Sequence, residues 1–481
     1  MTFEEILSKI DDAVWGIPLI VLILACGIWL TVRTRGLQVR YLGRALKFMV
    51  KNEEGGDGDV SSFGALCTAL SATIGTGNIV GVATAITIGG PGALFWMEVA
   101  AFFGMATKYA EGLLAIKYRV TDESGNKLGG PFYYIENGMG RKWKWMAKVF
   151  AALGVCVGLF GIGTFTQING ITSAANNFFG PMFENQPTFN IFGSNITLVT
   201  VIAGVIITVC AALVIIGGIK RISSISQIVV PFMAIIYVLT VLIILICNVD
   251  KIPAALSEIV TSAFSFEINE VAGGILGILI AMKSGISRGI FSNEAGLGSA
   301  PIAAAAAKTN DPVRQGLVTM TGTFIDTIVI CTMTGLAVVI GGGWKPDLGL
   351  EGVAVTTHSF QECLSFMPQQ IPAFVLMVCL VFFAFTTILG WNYYSERCLA
   401  YLVGGKPIVT KIYRWVYILA VAIGPYMTVS AVWTIADIFN GLMAIPNIVA
   451  LLALSGVVAK ETMDYTKRVK QEKLDAKRTA Q

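Results

Sequence analysis

The chain has 481 residues, of which 55% are hydrophobic and only 13% charged, and its mean hydropathy is +0.73. Soluble domains carry about 25% charged residues, and a globule of this length needs a polar shell that this composition does not supply, which excludes a soluble enzyme, a disordered protein and a nucleic-acid binder. The formal net charge of +4, from 34 Lys+Arg and 30 Asp+Glu, is too small to draw a polyanion, so the placing of the charges matters more than their sum.

The opening MTFEEILSKIDD is acidic and lacks a basic leader, and no A-x-A site follows the first apolar run, so it reads as no cleaved signal peptide. About 20 apolar residues in a helix cross a bilayer core. On that measure spans are expected at 15–32, 61–88, 92–115, 147–179, 197–217, 228–247, 271–307, 316–340, 371–402, 412–430 and 434–458, eleven in all. Placing 33–58 in the cytoplasm and alternating puts 28 of the 34 Lys and Arg on the cytoplasmic side. Only Lys9, Lys251 and Lys345 then lie outside, while Lys108, Lys283 and Arg288 fall within spans. This is the bias of the positive-inside rule, and adding or losing one span scrambles it. The expected topology is an all-α polytopic membrane protein in a plasma membrane, N-terminus outside and C-terminus cytoplasmic.

After the first span, Arg40, Arg44 and Lys47 alternate with Leu37, Tyr41, Leu42, Leu46 and Phe48, the pattern of a basic amphipathic helix on the inner leaflet. Trp143 and Trp145, among Arg141, Lys142, Lys144 and Lys148, read as an interfacial anchor. The tail 460–481 is polar and is expected to be solvated. Nine cysteines are scattered singly among apolar runs and read as small packing residues, and His358 is the single histidine. No GxxxxGK[ST] occurs, so no ATP-driven step is expected, no cofactor is implied, and the chain does not read as an enzyme.

Two long apolar segments are interrupted by glycine. In SATIGTGNIVG (71–81) Gly75 and Gly77 stand among Ser71, Thr73, Thr76 and Asn78; in GILGILIAMKSGISRGIFSNEAGLGSAP (274–301) the break is expected near Lys283. Close packing of small residues is one explanation, but polar groups at that depth are costly and usually functional. With 1–60 set aside as an extra helix plus the amphipathic segment, the remaining spans divide into 61–248 and 249–459, five each, with a break opening each half. Corresponding interrupted helices in two halves point to an inverted-repeat secondary transporter. An uncoiled segment at mid-depth frees N–H and C=O groups that lipid cannot satisfy. A bound carboxylate can take the N–H groups, and the carbonyls can ligate a cation.

The stretches GTGNIVGVATAITIGGPGALFWM (75–97), FFGMATKYAEGLLA (102–115), GPFYYIENGMG (130–140) and RGIFSNEAGLGSAP (288–301) resemble the alanine or glycine:cation symporter family of prokaryotes. These are sodium-coupled carriers with a LeuT-like fold of five plus five helices in inverted repeat, and the resemblance covers nearly the whole chain. One departure is FWME in place of the family's usual FWMW, which leaves Glu98 in the third span without a named partner.

The resemblance implies a small neutral amino acid, alanine or glycine, with its carboxylate on the N–H groups of Thr76, Gly77 and Asn78. Gln167, a mid-membrane amide, either contacts the substrate or bonds a neighbouring helix. The opposite wall is expected from Met282, Ser284 and Gly285, and Trp391 from a pocket wall that limits substrate size. For sodium, the hydroxyls of Thr386 and Thr387 are expected to face the carbonyls of Ser71 and Ile74; the alternative is back-bonding to their own helix. Thr73 and Asn78 are expected to form a second cation site with the substrate carboxylate. Among the intramembrane charges, Lys108 and Glu111 read as a helix-surface pair. Arg288 and Glu294 read as an inner gate or a structural network. Asp326 and Glu98 are candidate partners for Lys283. The implied action is sodium-driven uptake by alternating access by a monomer. Proton coupling on the same scaffold is the rival, with Lys283 or Glu98 as the titrating group, and a channel fits poorly for want of a pore loop or a charged ring.

Overall fold

The computed structural model describes residues 3–479 apart from 52, 54, 124, 184–185, 192–193 and 266–274. The chain starts with helix α1 (Phe3–Val14), followed by α2 (Ile17–Arg33) and α3 (Leu42–Val50). An interrupted pair, α4 (Ser62–Thr73) and α5 (Val80–Gly89), leads into α6 (Gly92–Lys117), then a second pair, α7 (Lys144–Phe160) and α8 (Phe165–Phe179). Next come α9 (Leu198–Ile215), α10 (Gly218–Cys247), α11 (Ile252–Phe264), α12 (Ile275–Asn293) and the short α13 (Ala300–Ala304). Helices α14 (Pro312–Thr323) and α15 (Thr332–Gly341) are joined by a π-helical segment, Phe324–Cys331. The chain closes with α16 (Val353–Cys363), α17 (Gln370–Val403), α18 (Pro407–Ile423), α19 (Val429–Ala453) and α20 (Ser455–Thr479).

Ten helices among the described residues are long and apolar enough to cross a membrane, and the shorter apolar α4 and α5 follow one another as a further crossing segment. The helix starts carry side-chain caps: Ser61 accepts from Gly64 N at 3.0 Å, and Asp311 accepts from Val313 N at 2.9 Å. Helix α6 is buried at the centre against α12 and α14. Helices α9, α10 and α18 turn bare apolar side chains outward, where Ile228 is 74% and Ile246 70% exposed, as surfaces meant for lipid are.

At the end of the bundle that carries the basic loops, a small antiparallel hairpin, β1 (Val120–Thr121) with β2 (Lys127–Leu128), covers the lower mouth. There residues 59–60 also pair with 306–308: a parallel bridge joins Val60 to Ala307, and Asp59 N and Lys308 N complete it at 2.8 and 2.9 Å. A second hairpin, β3 (Thr188–Ile191) with β4 (Ser194–Thr197), lies at the opposite end.

The first 12 helical residues, Phe3–Val14, form a helix that packs on α19. Two expectations need correction. The tail is not simply solvated: Tyr465 and Val469, four apart on α20, are buried, and Tyr109 hydroxyl lies 2.7 Å from Thr462 Oγ1. Lastly, α12 runs unbroken past Lys283. Gly285 is there for contact, since a Cβ at that position would stand 2.1 Å from the Ala93 carbonyl of α6. The chain uncoils only at 294–299, where Glu294, Gly296 and Gly298 take φ values of +56°, +91° and +79°.

Candidate functional site

The first interruption spans Ile74–Ile79, between α4 and α5, and every residue in it is buried. Its freed amides are held by side chains: Asn78 Oδ1 accepts from Gly75 N at 2.9 Å, and Gln167 Oε1 accepts from Thr76 N at 3.0 Å. Gln167 is itself fixed, because its Nε2 donates to Ile162 O at 3.0 Å, a carbonyl freed by a bend at 161–164 between α7 and α8. The sequence reading had taken 147–179 as one uninterrupted span. Gly75 leaves room for its neighbours: a Cβ there would stand 2.5 Å from Thr387 Oγ1 and 2.9 Å from Gln167 Oε1 and would push both side chains aside. Thr76 Oγ1 is buried and has no hydrogen-bond partner among the described residues. The break thus gathers one orphan hydroxyl and two amides held by neutral acceptors, which a carboxylate can displace because charge-assisted hydrogen bonds are roughly twice as strong.

On the cation side, Thr387 Oγ1 lies 3.1 Å from the Ile74 carbonyl and equally 3.1 Å from Phe383 O of its own helix, so it makes both of the contacts weighed for it. Thr386 is turned elsewhere, donating to Phe383 O at 3.0 Å and facing Met233 Sδ at 3.6 Å. Ser71 Oγ returns to Thr68 O, and Thr73 Oγ1 to Ala69 O, so neither hydroxyl points into the break. The close approach of α17 to α4, with Gly390 against Ala72, brings Thr387 within reach.

Asn78 also reaches across the interface. Its Nδ2 donates to Asp326 Oδ1 at 2.7 Å, while Asp326 Oδ2 accepts from Ser292 Oγ at 2.8 Å and Thr327 Oγ1 at 2.7 Å. Asp326 is fully buried in the π-helical segment and ties the first break to the end of α12. At that same point a Cβ on Gly77 would meet Ser292 Cα at 3.0 Å. The wall opposite the first break is therefore Phe291–Ser292. Met282, Ser284 and Gly285 lie about 11–15 Å further along α12 by helical rise. Ser284 Oγ donates to Ala85 O of α5 at 3.2 Å, and Ser284 and Gly285 pack on α5 and α6 because their small faces allow close contact.

In the second interruption, Glu111 Oε1 accepts from Gly296 N and Gly298 N, both at 3.1 Å, and from Asn447 Nδ2 at 2.7 Å. Glu294 Oε1 accepts from Trp391 Nε1 at 2.7 Å, and its other oxygen from Ser299 Oγ. Trp391 is thus an anchor of the second break. Lys108 and Glu111 are not a surface pair: both are buried, and Lys108 faces Glu111, Glu294 and Asp326 electrostatically.

The chain matches the model of the Sodium:alanine symporter family over residues 1–479. It belongs to that family. An uncharacterized transporter of Haemophilus influenzae is 52% identical over 473 residues, 98% of either chain. The sodium/alanine symporter AgcS of Methanococcus maripaludis is 45% identical, covering 99% of this chain and all of the relative. The probable sodium/glutamine symporter GlnT of Bacillus subtilis is 37% identical over 97% of this chain and 91% of its own. Among solved structures, MhsT in complex with L-phenylalanine shares the fold at TM-score 0.56, 13% identity and 85% coverage of this chain. The chain is a membrane transporter of LeuT-type fold, not an enzyme.

Within this family frame, the remaining intramembrane charges find partners the sequence did not suggest. Arg288 precedes the second break on α12 and makes an end-on bidentate pair with Asp437 of α19, at 3.0 and 2.7 Å, over the Trp433 ring at 4.8 Å. Of the two expected readings, an inner gate or a structural network, its pairing with Asp437 and that of Glu294 with Trp391 fit the network. Lys283 pairs with Asp12 of α1 at 2.7 Å rather than with Asp326 or Glu98. Trp15 Nε1 donates to Asp437 O at 2.8 Å, so the N-terminal helices back this pair. Glu98 Oε1 is buried without a hydrogen-bond partner among the described residues.

Proposed function

We propose that the chain couples the inward movement of sodium to the uptake of a small neutral amino acid, alanine or glycine, by alternating access. In this reading the end carrying the basic loops faces the cytoplasm of a prokaryote, the N-terminus lies outside, and a monomer is the working unit. The observation that carries it is the first break: displaceable neutral acceptors on Gly75 N and Thr76 N stand beside the Ile74 carbonyl and Thr387 hydroxyl. The substrate carboxylate takes the amides of Thr76, Gly77 and Asn78, with Gln167 turning to accommodate it. Sodium takes Ile74 O and Thr387 Oγ1, joined by Ser71 O, since hard neutral oxygens suit a small hard cation. Thr386, and Thr73 of a second cation site with Asn78, join only by turning hydroxyls that now bond back along their own helices.

Each end of the bundle carries a cleft. A cleft of about 380 Å³ at one end is lined by Asn169, Asn176 and Thr197, and one of about 690 Å³ at the basic end by Tyr133, Ile302 and Arg397. One charge crossing 100 mV supplies about 2.3 kcal/mol, so the gradient drives uphill uptake without ATP. Uptake of labelled alanine into proteoliposomes, with sodium replaced by choline at fixed pH, tests the reading. Transport that persists unchanged in choline rejects sodium coupling. It would favour the proton-coupled alternative, which the excess of buried carboxylates (Glu111, Glu294 and Asp326) over Lys108 supports.

A further inference from the structure

The two interruptions treat their freed amides differently. In the first, two neutral amide oxygens hold them, one from Asn78 within the break and one from Gln167. In the second, a single carboxylate oxygen, Oε1 of Glu111, holds both Gly296 N and Gly298 N, with Asn447 Nδ2 as a third donor. Asn447 also donates to Gly296 O at 2.8 Å, so the same amide secures both the carboxylate and the loop. All of Glu111's hydrogen bonds fall on one oxygen: Oε2 is buried and has no partner among the described residues. A bidentate guest of the loop would use both oxygens, so this is a side chain reaching from α6 into a cradle wide enough for a carboxylate. An incoming amino-acid carboxylate can displace a neutral amide from the first break. To enter the second it would have to expel or share space with a buried anion, which electrostatics forbids.

We propose that Glu111 is a resident occupant of the second break, a positioning residue that fills it with the protein's own carboxylate and leaves the first break as the chain's one amino-acid site. This rests on the reading that the first break takes the substrate carboxylate. The groups facing Glu111 fit a permanent guest. Lys108 faces it from its own helix, and Tyr134 and Tyr394 lie close enough to feel its charge. Cys26 of α2 does so as well.

The experiment is chemical rescue of the purified, reconstituted full chain. Glu111→Ala empties the cradle, and the loss of two or three charge-assisted hydrogen bonds lowers sodium-driven alanine uptake by about tenfold or more. Formate or acetate, but not chloride at equal concentration, restores uptake and raises the thermal midpoint of the variant while leaving that of the wild type unchanged. Glu111→Gln keeps an acceptor in place and loses about threefold in apparent affinity. Calorimetry on the wild type gives one alanine per chain. An alanine variant with wild-type uptake, a folded variant whose thermal midpoint ignores formate, or two amino acids per chain overturns the proposal. If Glu111→Ala does not fold, a stably folded Glu111→Gln without uptake overturns it as well. The formate shift in thermal midpoint needs no transport, so it judges Glu111 even if the wild type proves not to carry alanine with sodium.

Discussion

Asn78 Nδ2 and Asp326 Oδ1 stand 2.7 Å apart, and this one contact joins the residue that closes the first break to the residue that holds the end of α12. Both partners are fully buried, so neither has water to fall back on. Asp326→Ala leaves Ser292 and Thr327 without their carboxylate acceptor and Asn78 with only the backbone carbonyl of residue 326, at about 1–3 kcal/mol for each hydrogen bond lost. The expected outcome is a fall of several degrees in Tm and a tenfold or greater loss in alanine affinity. Asp326→Asn keeps one carbonyl acceptor and should fall between the variant and wild type. Calorimetric titration with alanine, beside a thermal melt, checks both.

The two adjacent threonines of α17 should separate. Thr387 meets the Ile74 carbonyl and Thr386 does not. Thr387→Ala is expected to raise the sodium concentration for half-maximal uptake about tenfold, in proportion to a lost ligand of 1–2 kcal/mol, and Thr387→Ser to restore it. Thr386→Ala should change it less than about threefold. A sodium titration of uptake at saturating alanine decides, and equal effects of the two substitutions would remove Thr387 from the cation site.

Gln167→Ala exposes Thr76 N to whatever else can bind it. The prediction is a raised half-saturating alanine concentration, by about tenfold, with sodium dependence largely kept, because Gln167 holds an amide and not a carbonyl. Paired titrations of the two solutes in the same vesicles make the comparison.

Arg288 and Asp437 form an end-on bidentate pair of which only 12% and 8% of the side chains are exposed. Removing one partner strands a largely buried charge, so Arg288→Ala is expected to destabilise the protein by about 3–5 kcal/mol. The double substitution Arg288→Met with Asp437→Leu should cost far less, because no charge is left behind. Thermal melts of the two singles and the double give the coupling directly; additive losses would show that the pair does not act as a unit.

Hydropathy and the run of positive charge were enough to lay out the crossing segments, since both follow from the bilayer as solvent. The first break was legible for the same reason: Gly75 and Gly77 stand among polar residues that have no business in lipid. The second was misplaced because glycine serves two ends. Gly285 has an ordinary helical backbone and exists to let α12 touch Ala93, whereas Gly296 and Gly298 supply the left-handed backbone that ends the helix. The cue that separates them was present in Asn293 and Glu294, which are polar and lie directly before the paired glycines. Asp326 could not be placed from sequence, because its partners come from three elements remote in the chain. Thr386 and Thr387 differ only by the rotation of one residue on α17, which no pattern of residue types reveals.

The strand-like bridge of Val60 with Ala307 binds the stumps of both interrupted helices to each other at the end that carries the basic loops. Neither stump can swing aside alone without tearing peptide hydrogen bonds. Any gate at that end must therefore travel as one leaf, with its hinges at the two places where the backbone is already uncoiled.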